Sequence, residues 1–304
     1  MIEVGADRPL TRRPSRDEPC VHYTEHTRSS KLCVRFSERL FSPPGWTAPQ
    51  QATWPATTAS LIAGSTDALL VDALITTAEG ERLAAWVRDS GKNLTTVFIT
   101  HGHPDHFFGA GPTLAAFPQA QLVALPEVVS DAQRSARSLE SWRAWLGGQF
   151  DEKAAIPTAL TSDELEIDRH IVRLLALGRS DGVINSVVHV PDLATVVSGD
   201  IAYNSIHMWL WRSTPETRTE WLATLDALAA LRPEKIITGH KDPDAPDDDA
   251  RRILDQSRRY IEDFDQATAH SSSVPDLVGR MMEKYAAYGN VYTLLAAAAG
   301  QFDN

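Results

Sequence analysis

The segment 99–109, ITHGHPDHFFG, concentrates metal-binding side chains at the end of an apolar run. Within six residues it holds His101, His103, Asp105 and His106. Neutral imidazole and carboxylate are the ligands that zinc prefers where thiolates are absent. The turn residues Gly102 and Pro104 let both first histidines face one side of a loop. The pattern H-x-H-x-D-H therefore indicates a site for one cation or for a close pair of cations.

Two later apolar runs end in residues that could complete this site. VVSGD ends in Asp200 and IITGH ends in His240, each directly after a glycine. Either residue alone could equally be an ordinary strand end. Because a sheet holds its strand ends rigidly, ligands placed there gain the precision that a metal site needs. Together with the histidine loop, both residues are interpreted as metal ligands.

Short apolar runs predict the strands that position these residues. SLIAGSTDALLVDALIT contains two runs around the turn signal GSTD, which predicts a hairpin whose second strand ends at Asp72. TTVFIT (95–100) predicts a buried strand that leads directly into the histidine loop. Six further apolar runs also predict strands: KLCVRF, QLVAL, IVRLLALG, NSVVHV, ATVVSG and KIITG.

Periodic apolar residues predict helices over 77–90 and 126–150, and two more over 247–267 and 275–300. The pattern S-x-x-E at Ser213 and Glu216 is typical of a capping box at a helix start. The strands occur in runs, with helices between only some of them. This order favours two sheets with helices packed outside over a regular βαβ alternation.

Charge and composition exclude several classes of partner. The chain has 29 Lys and Arg against 40 Asp and Glu, a net charge of −11, and no basic run interleaved with aromatics. This argues against nucleic acid, which binds a basic face. No apolar stretch reaches the roughly eighteen residues of a membrane span, and residues 1–30 show no secretory signal. Cys20 and Cys33 are expected to be free thiols, so we expect a cytoplasmic protein.

The hairpin ending in VDA, the THGHPDHFFG loop, the SGD strand end and the ITGH strand end occur in the order of the metallo-β-lactamase superfamily. The resemblance covers residues 57–242. It implies an α+β fold, a four-layer αββα sandwich with the site at one edge between the sheets. On this basis we expect an N-terminal arm (1–30) and one domain (31–304), with a helical insertion near 126–150 and C-terminal helices at 247–300.

The resemblance also implies a ligand for each position of a two-metal centre. His101 and His103 would bind the first metal, and Asp105, His106 and His240 the second, with Asp200 bridging the two. Zinc is the expected metal, as one ion or two, with iron as an alternative.

One departure from the family pattern concerns the first metal. The family usually has G-H-[ST] before the SGD strand, whereas this chain has LGRSDG, with Arg179 in place of the histidine. A guanidinium is always charged and cannot ligate. The first site is therefore expected to be weak, empty or completed by another donor such as Asp181 or His207. Arg179 itself either binds a substrate carboxylate or forms a surface ion pair with Asp181 or Glu166.

The residues after Asp200 are candidates for substrate contact. Tyr203 could donate a hydrogen bond to a developing oxyanion, and His207 could also face the cleft. Alternatively, both are buried packing residues. An apolar pocket or the core could hold Met208, Trp209 and Trp211. A flap over the site is one interpretation of Trp142 and Trp145, and simple burial is the other.

These features predict a metal-dependent hydrolase for a small molecule. Metal-bound hydroxide, oriented by Asp105, would attack an ester, lactone, thioester or amide carbonyl. One alternative is a non-haem iron oxidoreductase on the same scaffold, and another is a degenerate member that binds metal without catalysis. The sequence leaves the substrate and the oligomeric state open.

Overall fold

A computed structural model describes residues 20–21, 28–34, 39–41, 50–52, 54–146, 148–149, 151 and 153–302. The strands are β1 (Cys20–Val21), β2 (Arg28–Val34), β3 (Arg39–Phe41), β4 (Gln50–Ala52), β5 (Thr57–Ala63), β6 (Asp67–Val71), β7 (Asn93–Phe98), β8 (Gln121–Ala124), β9 (Thr158–Ala159), β10 (Glu164–Ile167), β11 (His170–Gly178), β12 (Asn185–Val190), β13 (Thr195–Val197), β14 (Tyr203–Asn204), β15 (Lys235–Ile237) and β16 (His240–Lys241). The helices are α1 (Thr77–Asp89), α2 (Pro104–Phe107), α3 (Ala110–Ala116), α4 (Pro126–Arg137), α5 (Leu139–Leu146), α6 (Pro215–Ala230), α7 (Ala250–Ala269), α8 (Val274–Tyr285) and α9 (Val291–Phe302).

The strands form two main sheets. The first has the order β1-β2-β5-β6-β7-β8-β9, with β16 paired to β5 and β14 paired to β16. Its strands are antiparallel from β1 to β6 and parallel from β6 to β9. The second sheet has the order β10-β11-β12-β13-β15, antiparallel except for the parallel pair β13 and β15. β3 and β4 form a separate pair.

Alternation along the strands explains how the first sheet is buried on both faces. In β6, Leu69 and Val71 face the second sheet and pack against Val188 of β12. Ala68 and Leu70 point the opposite way, towards the layer that contains α1. Because successive side chains of a strand point to opposite faces, a strand buried on both sides reads as a continuous apolar run. The run ALLV has this character.

Helices cover the outer face of each sheet. On the first sheet, Leu83 and Val87 of α1 belong to the core that covers the outer face. On the second, α6, α7, α8 and α9 contribute residues such as Trp221, Phe264 and Leu294 to another core. The layers therefore follow the order helix, sheet, sheet, helix, and the predicted four-layer αββα sandwich is confirmed. No helix in the described ranges is both long and apolar enough to span a bilayer.

The structure corrects the predicted start of α6. The capping box is formed by Thr214 and Thr217, one residue later than the predicted pair of Ser213 and Glu216. The following residue, Pro215, occupies the first helical position, where its fixed φ and missing N–H are tolerated. Thr214 is therefore the N-cap, and its side chain accepts the hydrogen bond from the Thr217 amide.

Two further predictions differ from the structure in part. The single helix predicted over 275–300 is two helices, α8 and α9, and Asn290 between them has a φ of 57°. Within the predicted arm 1–30, the structure describes only Cys20–Val21 and residues 28–30, all in strands, and β1 places Cys20 opposite Cys33. The rest of the arm lies outside the described residues.

Candidate metal centre

The predicted ligands come from three strand ends on one edge of the sandwich. The loop after β7 carries His101 and His103, and α2 follows with Asp105 and His106. Asp200 lies in the 3₁₀ turn after β13, and His240 is the first residue of β16, just after β15. Since β13 and β15 are parallel neighbours, their carboxyl ends lie side by side.

The candidate ligand atoms fall into two groups, each with its atoms within 4.8 Å of one another. The first group is His101, His103, Asp181 and Asp200, and the second is Asp105, His106 and His240. All six residues predicted as ligands are brought together. The additional member is Asp181.

Asp200 lies between the two groups. Its Oδ2 is 3.7 Å from His101 Nε2 and 3.0 Å from His240 Nε2. Its Oδ1 is 3.5 Å from His106 Nε2. One carboxylate therefore contacts imidazoles of both groups, which is the arrangement a bridging ligand requires.

Buried partners orient the histidines of the loop. His106 Nδ1 donates to Asp72 Oδ2 at 2.8 Å, and Asp72 also accepts from the amide and the hydroxyl of Thr100. The Thr100 hydroxyl lies 3.1 Å from His101 Nδ1 and accepts a hydrogen bond from it. Since each Nδ1 is used in this way, each Nε2 is left as a lone-pair donor that faces the centre. The sequence placed Asp72 at the end of a strand but did not assign it this role.

Three polar atoms that point into the centre lack hydrogen-bond partners in the part of the chain that the structure describes. His101 Nε2, His106 Nε2 and Asp200 Oδ1 are buried and have no hydrogen-bond partner among the described residues. His240 shows the same orientation, because its Nδ1 donates to the carbonyl of Ala56 at 3.1 Å. Buried polar groups are normally satisfied, so converging orphan atoms of this kind fit a metal ion.

Charge in the centre also fits a cation. Burial lowers the pKa of His240, but Asp200 and Asp105 outweigh it and raise that pKa to about 10. Burial likewise raises the pKa of the Asp105 carboxyl, but His106 and His240 hold it well below its usual range. Asp105 and Asp200, whose pKa is also held well below its usual range by His240 and His106, stay ionised and favour positive charge beside them. Burial raises the pKa of Asp181.

The strand ends and ligands described above coincide with the part of the chain that matches a known protein family. The family model described as the metallo-beta-lactamase superfamily matches residues 52–240. The chain belongs to the metallo-beta-lactamase superfamily. A comparison with curated proteins gave no match.

Solved structures share the metallo-beta-lactamase fold at low sequence identity. A metallo-beta-lactamase from Pontibacter korlensis aligns with a TM-score of 0.58 at 12% identity, over 81% of this chain and 99% of its own. A metallo-beta-lactamase family protein from Thermus thermophilus gives 0.57 at 18% identity, over 86% and 91%. A Pseudomonas aeruginosa metallo-beta-lactamase in its mono-zinc form gives 0.55 at 15%, over 81% and 96%.

In this superfamily member, Asp181 takes a place beside the first two histidines. Its Oδ2 lies 3.0 Å from His103 Nδ1 and 3.9 Å from His101 Nε2, and its side chain is 1% exposed. Ser180 Oγ donates to the other oxygen, Oδ1, at 3.0 Å. The sequence named Asp181 as a candidate donor, and the structure brings it into the first group.

Arg179 points away from the centre. Its Nε donates to Glu220 Oε2 of α6 at 2.5 Å, and both side chains are partly exposed. Arg179 is not among the residues that line the pocket beside the centre. The structure thus places it in a surface ion pair, with Glu220 rather than with Asp181 or Glu166.

Tyr203 and His207 are both buried and neither lines the pocket. Tyr203 Oη donates to Asp200 Oδ2 at 3.2 Å, so it contacts a candidate metal ligand without lining the pocket. His207 Nδ1 lies 2.8 Å from Tyr260 Oη within the core beside α7. Burial lowers the pKa of His207 to about 4, so its imidazole is neutral at physiological pH.

A pocket of about 790 Å³ opens beside the two groups of candidate ligands. Its metal-facing wall includes His103, Asp105, Asp181, Asp200 and His240. Its other walls include Trp54, Trp142, Trp209, Trp211, Arg212, Tyr292, Ala296 and Ala299. Trp209 and Trp211 thus line the pocket as one alternative expected, whereas Met208 is buried in the core. Trp142 also lines the pocket, and the side chain of Trp145 lies outside the described residues. No signal in the sequence pointed to Trp54 or α9.

Proposed function

We propose that this protein is a metal-dependent hydrolase that cleaves an ester, lactone, thioester or amide bond of a small molecule. The observation that carries the proposal is the pair of candidate ligand groups connected by Asp200 at the wall of a pocket, with buried atoms that lack hydrogen-bond partners among the described residues pointing into the centre. Membership of a superfamily of mostly metal-dependent hydrolases supports it.

The donor set is large enough to hold two cations. His101, His103 and Asp181 would hold the first, Asp105, His106 and His240 the second, and Asp200 would contact both. When bound, such cations, expected to be zinc, lower the pKa of a water ligand towards neutrality and polarise a carbonyl oxygen.

Asp105 has the placement needed to orient the attacking water. Trp54 Nε1 donates to Asp105 Oδ2 at 3.1 Å, which fixes the carboxylate in the pocket wall. The second oxygen, Oδ1, is free of that bond and can accept a hydrogen bond from water. We assign Asp105 this orienting role and Tyr203 the role of holding Asp200 through its hydroxyl.

The test is hydrolysis of 4-nitrophenyl acetate, its thioester analogue and a simple lactone. Protein treated with a chelator should lose nearly all activity towards any substrate it cleaves and regain it with zinc. Asp105→Asn should reduce kcat by on the order of 10²-fold or more, the scale of a positioned acid–base group. The matched control is Arg179→Ala, which removes an exposed ion pair and should leave the rate unchanged. Undiminished hydrolysis by the chelated protein would contradict the proposal.

A second candidate, a non-haem iron oxidoreductase, is favoured by one observation. With Asp181, the first group contains two histidines and two carboxylates, and sites of imidazole and carboxylate also suit iron. Elemental analysis of protein purified without added metal separates the two: zinc supports hydrolysis, and iron supports redox chemistry.

A further inference from the structure

The pocket wall beyond the metal groups is built mainly from indole rings. Trp54 and Trp142 contact edge to face, with centroids 6.1 Å apart and planes at 74°. Trp209 and Trp211 form a second pair, with centroids 6.1 Å apart and planes at 36°. Trp54 precedes β5, Trp142 lies on α5, and the second pair precedes α6. Three distant segments therefore bring tryptophans to one cavity.

One face of α9 leaves room for a ligand between these rings. Tyr292, Ala296 and Ala299 line the pocket at helical spacing i, i+4 and i+7. Because two of these positions are alanine, the helix closes the cavity without filling it. The volume of about 790 Å³ lies within the range of sites for drug-sized molecules.

Outside the two groups of candidate ligands, few of the described pocket-lining side chains are polar. Among the lining residues that the structure describes, the polar ones there are Ser141, Thr293 and Arg212, apart from the hydroxyl of Tyr292. A sugar or a nucleotide would leave most of its hydroxyl groups without partners against such walls, which is costly. A flat apolar body gains both burial and favourable contact with indole faces.

Arg212 favours a ligand that carries a negative charge. Its guanidinium carbon lies 4.6 Å from the ring centroid of Trp211, and no carboxylate of the described part of the chain forms an ion pair with it. It is the one arginine or lysine among the described residues that line the pocket. A cationic ligand would be repelled there, whereas an anionic group would find an unpaired donor fork.

We propose that the substrate is an aromatic carbonyl compound with two or more fused or linked rings and an anionic substituent. The rings lie between the tryptophans, and the anion pairs with Arg212. This deepens the proposed hydrolase function and rests on it for the reacting carbonyl, whereas the binding of the rings and the anion is independent of turnover.

The probes are 8-anilinonaphthalene-1-sulfonate and its neutral counterpart N-phenyl-1-naphthylamine, titrated by fluorescence into zinc-loaded protein. We expect one saturable site per chain for each. Trp142→Ala and Trp209→Ala should each weaken both probes by roughly two- to ten-fold. Ala296→Leu, which narrows the cavity from α9, should weaken both as well and does not remove an aromatic side chain.

The variant Arg212→Met tests the contribution of charge to binding separately from that of the aromatic rings. It should weaken the sulfonate probe by about two- to five-fold, the scale of an exposed ion pair, and leave the neutral probe unchanged. The matched control is Arg251→Met, at a 92% exposed side chain on α7, which should change neither. Equal losses for both probes in Arg212→Met, or none, would overturn the assignment of Arg212.

A competition between two ten-carbon anions tests whether the pocket prefers a flat aromatic ring system to an alkyl chain. Naphthalene-2-sulfonate should displace the anionic probe at a lower concentration than decane-1-sulfonate. Displacement by the alkyl compound at an equal or lower concentration overturns the proposal of an aromatic substrate, as does probe binding that the tryptophan and alanine variants leave unchanged.

The two proposals fail in different ways. If simple esters are cleaved with zinc but the probes neither bind nor inhibit competitively, the hydrolase proposal stands and the substrate class is wrong. If the probes bind as expected but no carbonyl substrate is cleaved, the pocket assignment stands for a ligand and the hydrolase proposal is wrong.

Discussion

Individual side chains in this centre are fixed by partners that lie outside the motif. The motif supplies the histidines, but Asp72 and Thr100 decide which ring nitrogen faces inward. Asp72 directly follows β6 and contacts His106 on α2. A carboxylate behind a ligating imidazole fixes the ring orientation and raises its basicity. The role of Asp72 follows from the pairing of β6 with β7, which spacing alone does not reveal.

Asp72→Asn should lower the metal affinity of the group that contains His106 by roughly 10- to 100-fold, because the ring loses its charged acceptor. Competition with a chromophoric chelator measures this affinity. Asp192→Asn is a matched control, since Asp192 accepts from His170 Nδ1 at 2.7 Å on the exposed surface. Equal affinities in both variants would rule out an orienting role for Asp72.

Asp181→Ala should reduce the number of bound zinc ions from about two to about one, because the first group keeps only two histidines and a shared carboxylate. Zinc content after equilibrium dialysis gives the stoichiometry. Asp181→His, which supplies the type of donor expected from the family pattern, should retain both ions. If the alanine variant keeps both ions, Asp181 is not a ligand.

At the scale of elements, two strand ends approach so closely that only glycine fits between them. Gly239 precedes His240, and a Cβ built on it would lie 2.0 Å from Asp200 Oδ1. Gly199 precedes Asp200, has a φ of +49°, and would place a Cβ 2.8 Å from Thr100 Oγ1. The Gly239 amide donates to the Gly199 carbonyl at 2.8 Å, which joins the two turns. The glycines noted in SGD and TGH thus set the distance between the ligands.

Gly239→Ala should destabilise the fold by about 1–3 kcal/mol and weaken metal binding, because the added methyl displaces Asp200. Urea unfolding measures the first effect and chelator competition the second. Gly279→Ala is the opposite case: this exposed glycine lies inside α8 with open space around it, so alanine should stabilise by about 0.5–1 kcal/mol. A tolerated alanine at 239 would show that the close approach is not needed.

At the scale of the whole molecule, the sandwich brings three carboxylates of the centre together. Asp105, Asp181 and Asp200 are held by elements from both sheets and have little exposure. Buried like charges are costly unless cations compensate them. Metal binding should therefore contribute to the stability of the entire fold.

Removal of metal should lower Tm, and added zinc should restore it in proportion to the logarithm of its concentration. At a free zinc concentration one hundred times Kd, binding contributes about 2.7 kcal/mol, which corresponds to a rise in Tm of about 4 °C for a chain of this size. Differential scanning calorimetry with and without chelator measures the shift. In Asp200→Ala, which lacks the shared carboxylate, zinc should raise Tm much less. An unchanged Tm in chelated native protein would mean that no ion is bound to the folded state.

Sequence by itself determined the local chemistry and the layers. The candidate ligands of the loop lie within six residues, and apolar alternation and helical periodicity are local properties, so two sheets with helices outside and a cluster of six candidate ligands were predicted. The four-layer order of the sandwich came from the resemblance to the superfamily. The predicted start of α6 was one residue too early. The pairs Ser213/Glu216 and Thr214/Thr217 overlap there, and Pro215 favours the second pair because proline fits the first helical position.

Tertiary structure decided what depends on side chains that are far apart in the chain. It turned Arg179 to Glu220 and Asp181 to His103, although only Ser180 separates Arg179 from Asp181 in the LGRSDG turn. It also placed Trp54, Trp142 and α9 around one pocket. The physical reason is that a side chain's direction and its distant neighbours are set by sheet pairing and layer packing, and local residue patterns do not encode them.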